Sequence, residues 1–103
     1  MMQKLKDRNR TEAEITKEIR YYLNTMNIWH YKNWSGPMSP RGIPDIIGIY
    51  RGKFLAVEIK KPRGKLTELQ QIFLDRVKNE GGLSVCVHSC EELADFLEKE
   101  EKR

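Results

Sequence analysis

Apolar and polar positions along this chain switch repeatedly between a helical and a strand-like period, and the switches mark out seven elements. Ile15, Ile19, Tyr22, Leu23 and Met26 recur at helical spacing, and Thr11 with Glu14 forms a capping box. The spacing therefore predicts a helix from Glu12 to near Asn27. Ile28–Lys32 reads as a short strand. Asn33–Pro44 breaks both periods with Gly, Ser and Pro over twelve residues, a loop length that is often functional. Ile46–Tyr50 reads as a strand in which Gly48 marks a close approach. Arg51-Gly52-Lys53 turns the chain, and Phe54–Lys60 returns antiparallel until Pro62 stops it. Thr67 with Gln70 makes a second capping box, and the helix it opens is expected to bury Leu69, Ile72, Phe73 and Val77 before Gly81-Gly82 ends it. Leu83–His88 is an apolar strand, with Val85 and Val87 favouring β structure. Ser89 with Glu92 reads as a third capping box, for a last helix burying Leu93, Phe96 and Leu97.

The order α-β-β-β-α-β-α predicts an α/β fold, a small mixed sheet flanked by helices. A helix between the third and fourth strands implies a parallel, right-handed crossover. At 103 residues the chain is one domain: residues 1–10 are expected to form a flexible basic arm and residues 11–103 the folded unit.

Composition narrows the function classes. Hydrophobic residues make up 39% and charged residues 33%, as in a soluble globular protein. No apolar run approaches the roughly 18 residues of a membrane span, and the charged start lacks a signal-peptide core, so a cytoplasmic protein without membrane partners is expected. Cys86 and Cys90 lack a second pair at zinc-site spacing and are expected to be free thiols, Cys86 as a small core residue. The net charge of +4 is unevenly spread. Residues 1–10 hold Lys4, Lys6, Arg8 and Arg10 against Asp7, a net +3; residues 51–65 hold Arg51, Lys53, Lys60, Lys61, Arg63 and Lys65 against Glu58, a net +5; residues 91–103 are net −3. Positive charge beside candidate chemistry and negative charge elsewhere suit a phosphate-backbone ligand. Arg41, Lys61, Arg63 and Lys65 are the candidate phosphate contacts. Trp29, Tyr31 and Trp34 could stack on exposed bases, though strand aromatics more often fill a core, which is the expectation here. His30 lacks a nucleophile partner and is not expected to be catalytic.

The chemistry centres on Gly42-Ile43-Pro44-Asp45, the strand after it, and Glu58-Ile59-Lys60 on the returning strand. Residues two apart on a strand point the same way, so Glu58 and Lys60 share a face, and Asp45 opening the partner strand can reach it. Two converging carboxylates suit Mg²⁺ or Mn²⁺. A lysine beside the ion can orient a water or stabilise charge developing on a phosphate. A third carboxylate can enter from the first helix. Relative to the apolar stripe, at about 100° per residue, Glu12 lies about 35° off, Glu18 about 85° and Glu14 about 125°. Glu14 is also occupied by its cap, so Glu12 is the candidate, although a carboxylate there would also suit the helix dipole.

The stretch GIPD…VEIKKPRGKLTELQ resembles the PD-(D/E)xK nuclease superfamily. Within it the chain looks like the stand-alone VRR-NUC domains, relatives of the archaeal-type Holliday-junction resolvases. The likeness runs from about Glu12 to about Glu92. It implies a restriction-endonuclease-like core and a Mg²⁺-dependent, structure-selective DNA endonuclease acting on branched, junction or flap DNA. It also implies that the backbone carbonyl of Ile59 joins Asp45 and Glu58 as a metal ligand. Glu12 matches the family's helix glutamate, three residues before Ile15. Gln70 matches a glutamine on the following helix, while its capping role would explain it equally. The resolvases work as dimers, so a homodimer is expected, and no nucleotide cofactor. A host cytoplasm fits if the gene is phage-borne. Two other readings stay open: a non-catalytic nucleic-acid-binding module and an RNA endonuclease.

Overall fold

The computed structural model describes residues 10–34 and 36–103. The basic arm predicted for residues 1–10 therefore lies almost wholly outside the described residues.

The predicted order is observed: α1 (Glu12–Thr25), β1 (His30–Lys32), β2 (Ile46–Tyr50), β3 (Lys53–Ile59), α2 (Glu68–Asn79), β4 (Leu83–Val87) and α3 (Cys90–Glu101). The four strands form one sheet in the order β1-β2-β3-β4. The first two pairings are antiparallel, and β3–β4 is parallel across α2. A mixed sheet with helices on both sides results.

Alternation along β3 sorts the core into two faces. Leu55, Val57 and Ile59 join Ile46, Leu83 and Val87 in a large buried cluster with Ile15, Ile19 and Leu23 of α1 and Leu93 and Leu97 of α3. The opposite face is smaller: Ile47, Ala56 and Leu74 are buried, with Leu66, Phe73, Val77 and Cys86 packed around them.

The predicted helix starts hold for α1 and α2, where Thr11–Glu14 and Thr67–Gln70 form complete capping boxes. The third is half-built. Ser89 accepts the Glu92 N–H, but the Glu92 carboxylate takes the His88 N–H at 2.8 Å instead of that of Ser89. Ser89 at φ −160 leaves its own N–H out of the box. The stripe of α1 also ends sooner than predicted. Met26 is exposed because the helix stops at Thr25 and Asn27 takes φ 57, so that the Ile28 N–H closes on the Leu23 carbonyl at 2.8 Å.

Two apolar assignments are corrected. On α2, Leu69 and Ile72 are exposed and Leu74 is the buried residue. The helix leans on the β3–β4 half of the sheet and so turns a different stripe inward. On β1, a strand of only three residues, Trp29, Tyr31 and Trp34 are all exposed rather than core. Trp29 and Tyr31 stack edge to face at 5.8 Å. Among the described residues no helix lies over the β1 edge of that face. Gly48 behaves as predicted: a Cβ there would stand 2.5 Å from the Trp29 carbonyl oxygen.

Candidate active site

Strand register brings the two carboxylates together. Ile46 pairs with Val57, so the next position outward sets Asp45 opposite Glu58. Opposite residues in an antiparallel pair have Cβ atoms about 5 Å apart on one face. The turn before Asp45 is held by packing. Gly42 has φ +85, and any Cβ there would meet the backbone of Leu69 at 2.9 Å. The Gly-Ile-Pro-Asp turn thus seats against the first turn of α2, and Pro44 is buried. That contact brings Asp45 and Gln70 to the same end of the sheet.

Glu58 is only 3% exposed. Its Oε2 stands 3.8 Å from the Lys60 ammonium and accepts from the Gln70 amide at 3.4 Å. Gln70 also accepts the Thr67 N–H at 2.9 Å, so its capping and site roles, alternatives in the sequence, are both realised. Asp45 is oriented through Oδ2, which accepts the Ile59 N–H at 2.8 Å. In a strand the N–H and C=O of one residue leave on the same side, so the Ile59 carbonyl also faces the Asp45 edge. The Lys60 N–H points the other way, to Val87.

The electrostatics are unusual for a carboxyl. Burial first, then a shared hydrogen bond with Asp45 and its negative charge, push Glu58 up to about 8 despite the nearby Lys60. Glu12 adds to the upward shift, which puts its carboxylate within electrostatic reach. Its competitors are engaged elsewhere: Glu14 closes the α1 cap and Glu18 pairs with Arg10. Among the described residues no three His, Cys, Asp or Glu side chains stand close enough to hold one ion together. Asp45 and Glu58 are the two carboxyl groups that the strands set face to face, and Glu12 acts on them at longer range. Two facing carboxyl groups at a partly buried strand end fit a small divalent cation, which prefers oxygen ligands.

Around this centre the basic residues divide. Arg41, Lys61, Arg63 and Lys65 are exposed on the loops entering β2 and leaving β3. None of their side chains is hydrogen-bonded or ion-paired among the described residues. The second loop is pinned by His88, whose ring nitrogens stand 3.2 Å from the Gly64 carbonyl and 3.1 Å from the Glu92 carboxylate. His30 sits away from the carboxylates, its Nδ1 at 2.9 Å from the Ile28 carbonyl. Both cysteines are free, and Cys86, expected in the core, is only partly buried and packs against the smaller cluster. Its thiol is pushed up by burial and by Glu58.

One neighbour escaped sequence reasoning. The Lys32 ammonium lies 4.0 Å from Asp45 Oδ1, because the Asn33 N–H bonds the Asp45 carbonyl at 2.8 Å and ties the ends of β1 and β2 together. Its only signal in the sequence was a basic residue closing a short strand.

The family model of the VRR-NUC domain matches residues 37–91, more than half of the chain, including Asp45, Glu58, Lys60 and Gln70. A solved structure titled "VRR_NUC domain" has a TM-score of 0.69 at 22% identity, over 84% of this chain and 94% of that chain. That likeness is one of fold. No curated protein matches the chain.

Proposed function

Because the chain belongs to the VRR-NUC domain family and has its nuclease-type fold, we propose that it is a Mg²⁺-dependent endonuclease that hydrolyses phosphodiester bonds in branched DNA. The observation that carries this reading is Asp45 set opposite Glu58, with Lys60 and Gln70 on Glu58 Oε2. A binding module needs no pair of carboxylates facing a phosphate, since they would repel it.

Asp45, Glu58 and the Ile59 carbonyl would hold the ion. When bound, Mg²⁺ supplies Lewis-acid polarisation of the scissile phosphate and neutralises the leaving oxygen. The protein does the rest. Lys60, held by Glu58, presents an ammonium that orients the attacking water or stabilises negative charge on the phosphate. Gln70 fixes the Glu58 carboxylate from the helix side. Glu12 adds a negative charge that holds water at the rim. Lys32 steadies Asp45 on its other oxygen. Arg41, Lys61, Arg63 and Lys65 carry the flanking backbone.

Two cuts across a junction need two centres, which a two-fold dimer would supply. The apolar residues of α3 are not free for that contact, because Leu93 and Leu97 are buried in their own core and Phe96 packs against it.

The test is cleavage of four-way junction, flap, linear duplex and RNA substrates, with Mg²⁺ and with EDTA. Mg²⁺-dependent cutting near branch points is expected, and Asp45→Asn should abolish it. No cleavage of any substrate would remove the nuclease reading. Preference for RNA would move the substrate class.

A further inference from the structure

Helix α1 has a second stripe that the core does not use. Lys17, Arg20, Tyr21 and Asn24 lie at i, i+3, i+4 and i+7, so they share one side of the helix. That side faces the end of β1 across a groove of about 480 Å³ closed by Lys32 and Trp34. The lining contains three cations and no carboxylate, although α1 itself carries Glu12, Glu14 and Glu18. Tyr21 and Trp34 are 76% and 75% exposed, an expensive way to place large rings unless something stacks on them. Among the described residues Lys17 and Arg20 make no hydrogen bond or ion pair, and the Arg20 Nε is buried without a partner.

The groove also joins the candidate active site. The Lys32 ammonium lies 4.7 Å from the centre of the Trp34 ring and 4.0 Å from Asp45 Oδ1. One residue therefore links the aromatic wall to the carboxylate pair. Aromatic faces between cations are the chemistry that recognises a nucleic-acid strand whose bases are exposed: rings stack on bases while cations follow the phosphates. A duplex would keep its bases stacked inside and leave Tyr21 and Trp34 unused. A protein partner would fit the rings but would need carboxylates for Lys17 and Arg20.

We propose that this α1–β1 groove binds an unpaired DNA strand and leads it to Asp45. The proposal rests on the nuclease reading only for its direction toward the site. It makes the unpaired arm of a branched substrate, rather than the duplex, the part this face selects.

The experiment is anisotropy of a labelled oligothymidine of about 12 nucleotides in EDTA, with a blunt DNA hairpin and an oligouridine as comparisons. Trp34→Ala and Tyr21→Ala should each weaken oligothymidine binding by about 5- to 150-fold, the range of one base stack. Lys17→Gln with Arg20→Gln should lower the slope of log affinity against log salt by about 1.4. The charge-matched pair Arg76→Gln with Lys99→Gln should leave affinity and slope as in wild type. Thermal melting of the Tyr21 and Trp34 variants should match wild type, since both rings are exposed, and melting of the charge variants separates lost binding from lost stability.

Unchanged oligothymidine binding in the two aromatic variants would overturn the groove, as would a wild type that does not bind it. An equal loss on the blunt hairpin would overturn the selection of unpaired strands, and tighter binding of oligouridine would overturn the choice of DNA. Cleavage in Mg²⁺ separates the two readings. A protein that binds through the groove but cuts nothing keeps the groove and loses the nuclease. A protein that cuts, with groove variants binding normally, does the reverse.

Discussion

On one face of the sheet, α1 and α3 press Ile15, Ile19, Leu23, Leu93 and Leu97 onto Leu55, Val57 and Ile59. On the other, α2 covers Ile47 and Ala56 with Leu74, and Trp29, Tyr31, Ile49 and Phe54 are exposed. The first face is packed mainly by aliphatic strand residues, Ile46, Leu55, Val57, Ile59, Leu83 and Val87, with Tyr50 against them. The second has Glu58 in line with Ala56, and Asp45 in line with Ile47, so its packing ends where the carboxylates begin. A buried carboxylate is costly unless it is neutralised or paired. Here it is met by the Lys60 ammonium and the Gln70 amide, while burial favours its neutral form. The small face gives up apolar contact to hold that cluster, while the large face supplies the stability that makes this possible.

The sharpest way to test that division is to remove the charge and keep the shape. Glu58→Gln should lower Mg²⁺-dependent cleavage by about a thousandfold or more, equivalent to about 4 kcal/mol of transition-state stabilisation. The fold should survive, because burial and Asp45 already favour the neutral carboxyl, which Gln mimics in shape. Single-turnover cleavage and circular dichroism on the same preparation check both halves. An inactive variant that was also unfolded would place Glu58 in the architecture.

The core contrast comes next. Leu55→Ala, on the large face, should cost about 2–5 kcal/mol. Ile72→Ala, on the exposed side of α2, should cost less than about 0.5 kcal/mol. Urea unfolding of both proteins decides it, and comparable losses would mean that the two faces contribute alike.

A pH series separates them by sign. Glu58 is raised to about 8 from an ordinary carboxylate value, so the folded state holds a proton that the unfolded state releases. Its contribution is therefore complete below the ordinary carboxylate range and is lost as pH rises through about 8. Metal-free protein should melt at progressively lower temperature from about pH 5 to about pH 9, and Glu58→Gln should flatten that slope. Mg²⁺ binding should strengthen over the same range, because the ion displaces the proton. A metal-free melting temperature that rose with pH would contradict the assignment.

The smallest effects distinguish the two glutamates that open α1. Glu12→Gln should reduce cleavage by about tenfold, about 1.4 kcal/mol, with little change in stability. Glu14→Gln should cost about 0.5–1 kcal/mol of stability through its cap and leave cleavage near wild type. Reversed outcomes would mean that Glu14, and not Glu12, faces the carboxylate pair.

Local signals in the chain were enough for the element order, two complete capping boxes, the close approach at Gly48 and the facing of Asp45 with Glu58 and Lys60. Each depends on neighbours within a few residues or on the fixed two-residue period of a strand, so each is written in short-range geometry. Gln70 was legible as a residue with two candidate roles, and only its hydrogen bonds to both Thr67 and Glu58 showed that one side chain fills both. The stripe that α2 buries, the exposure of Trp29, Tyr31 and Trp34, and the approach of Lys32 to Asp45 were decided by the tertiary structure. They depend on which half of the sheet a helix covers and on which strand ends are tied together. A periodic pattern says that a face is apolar, but not whether another element arrives to cover it, and that arrival is a property of the whole fold.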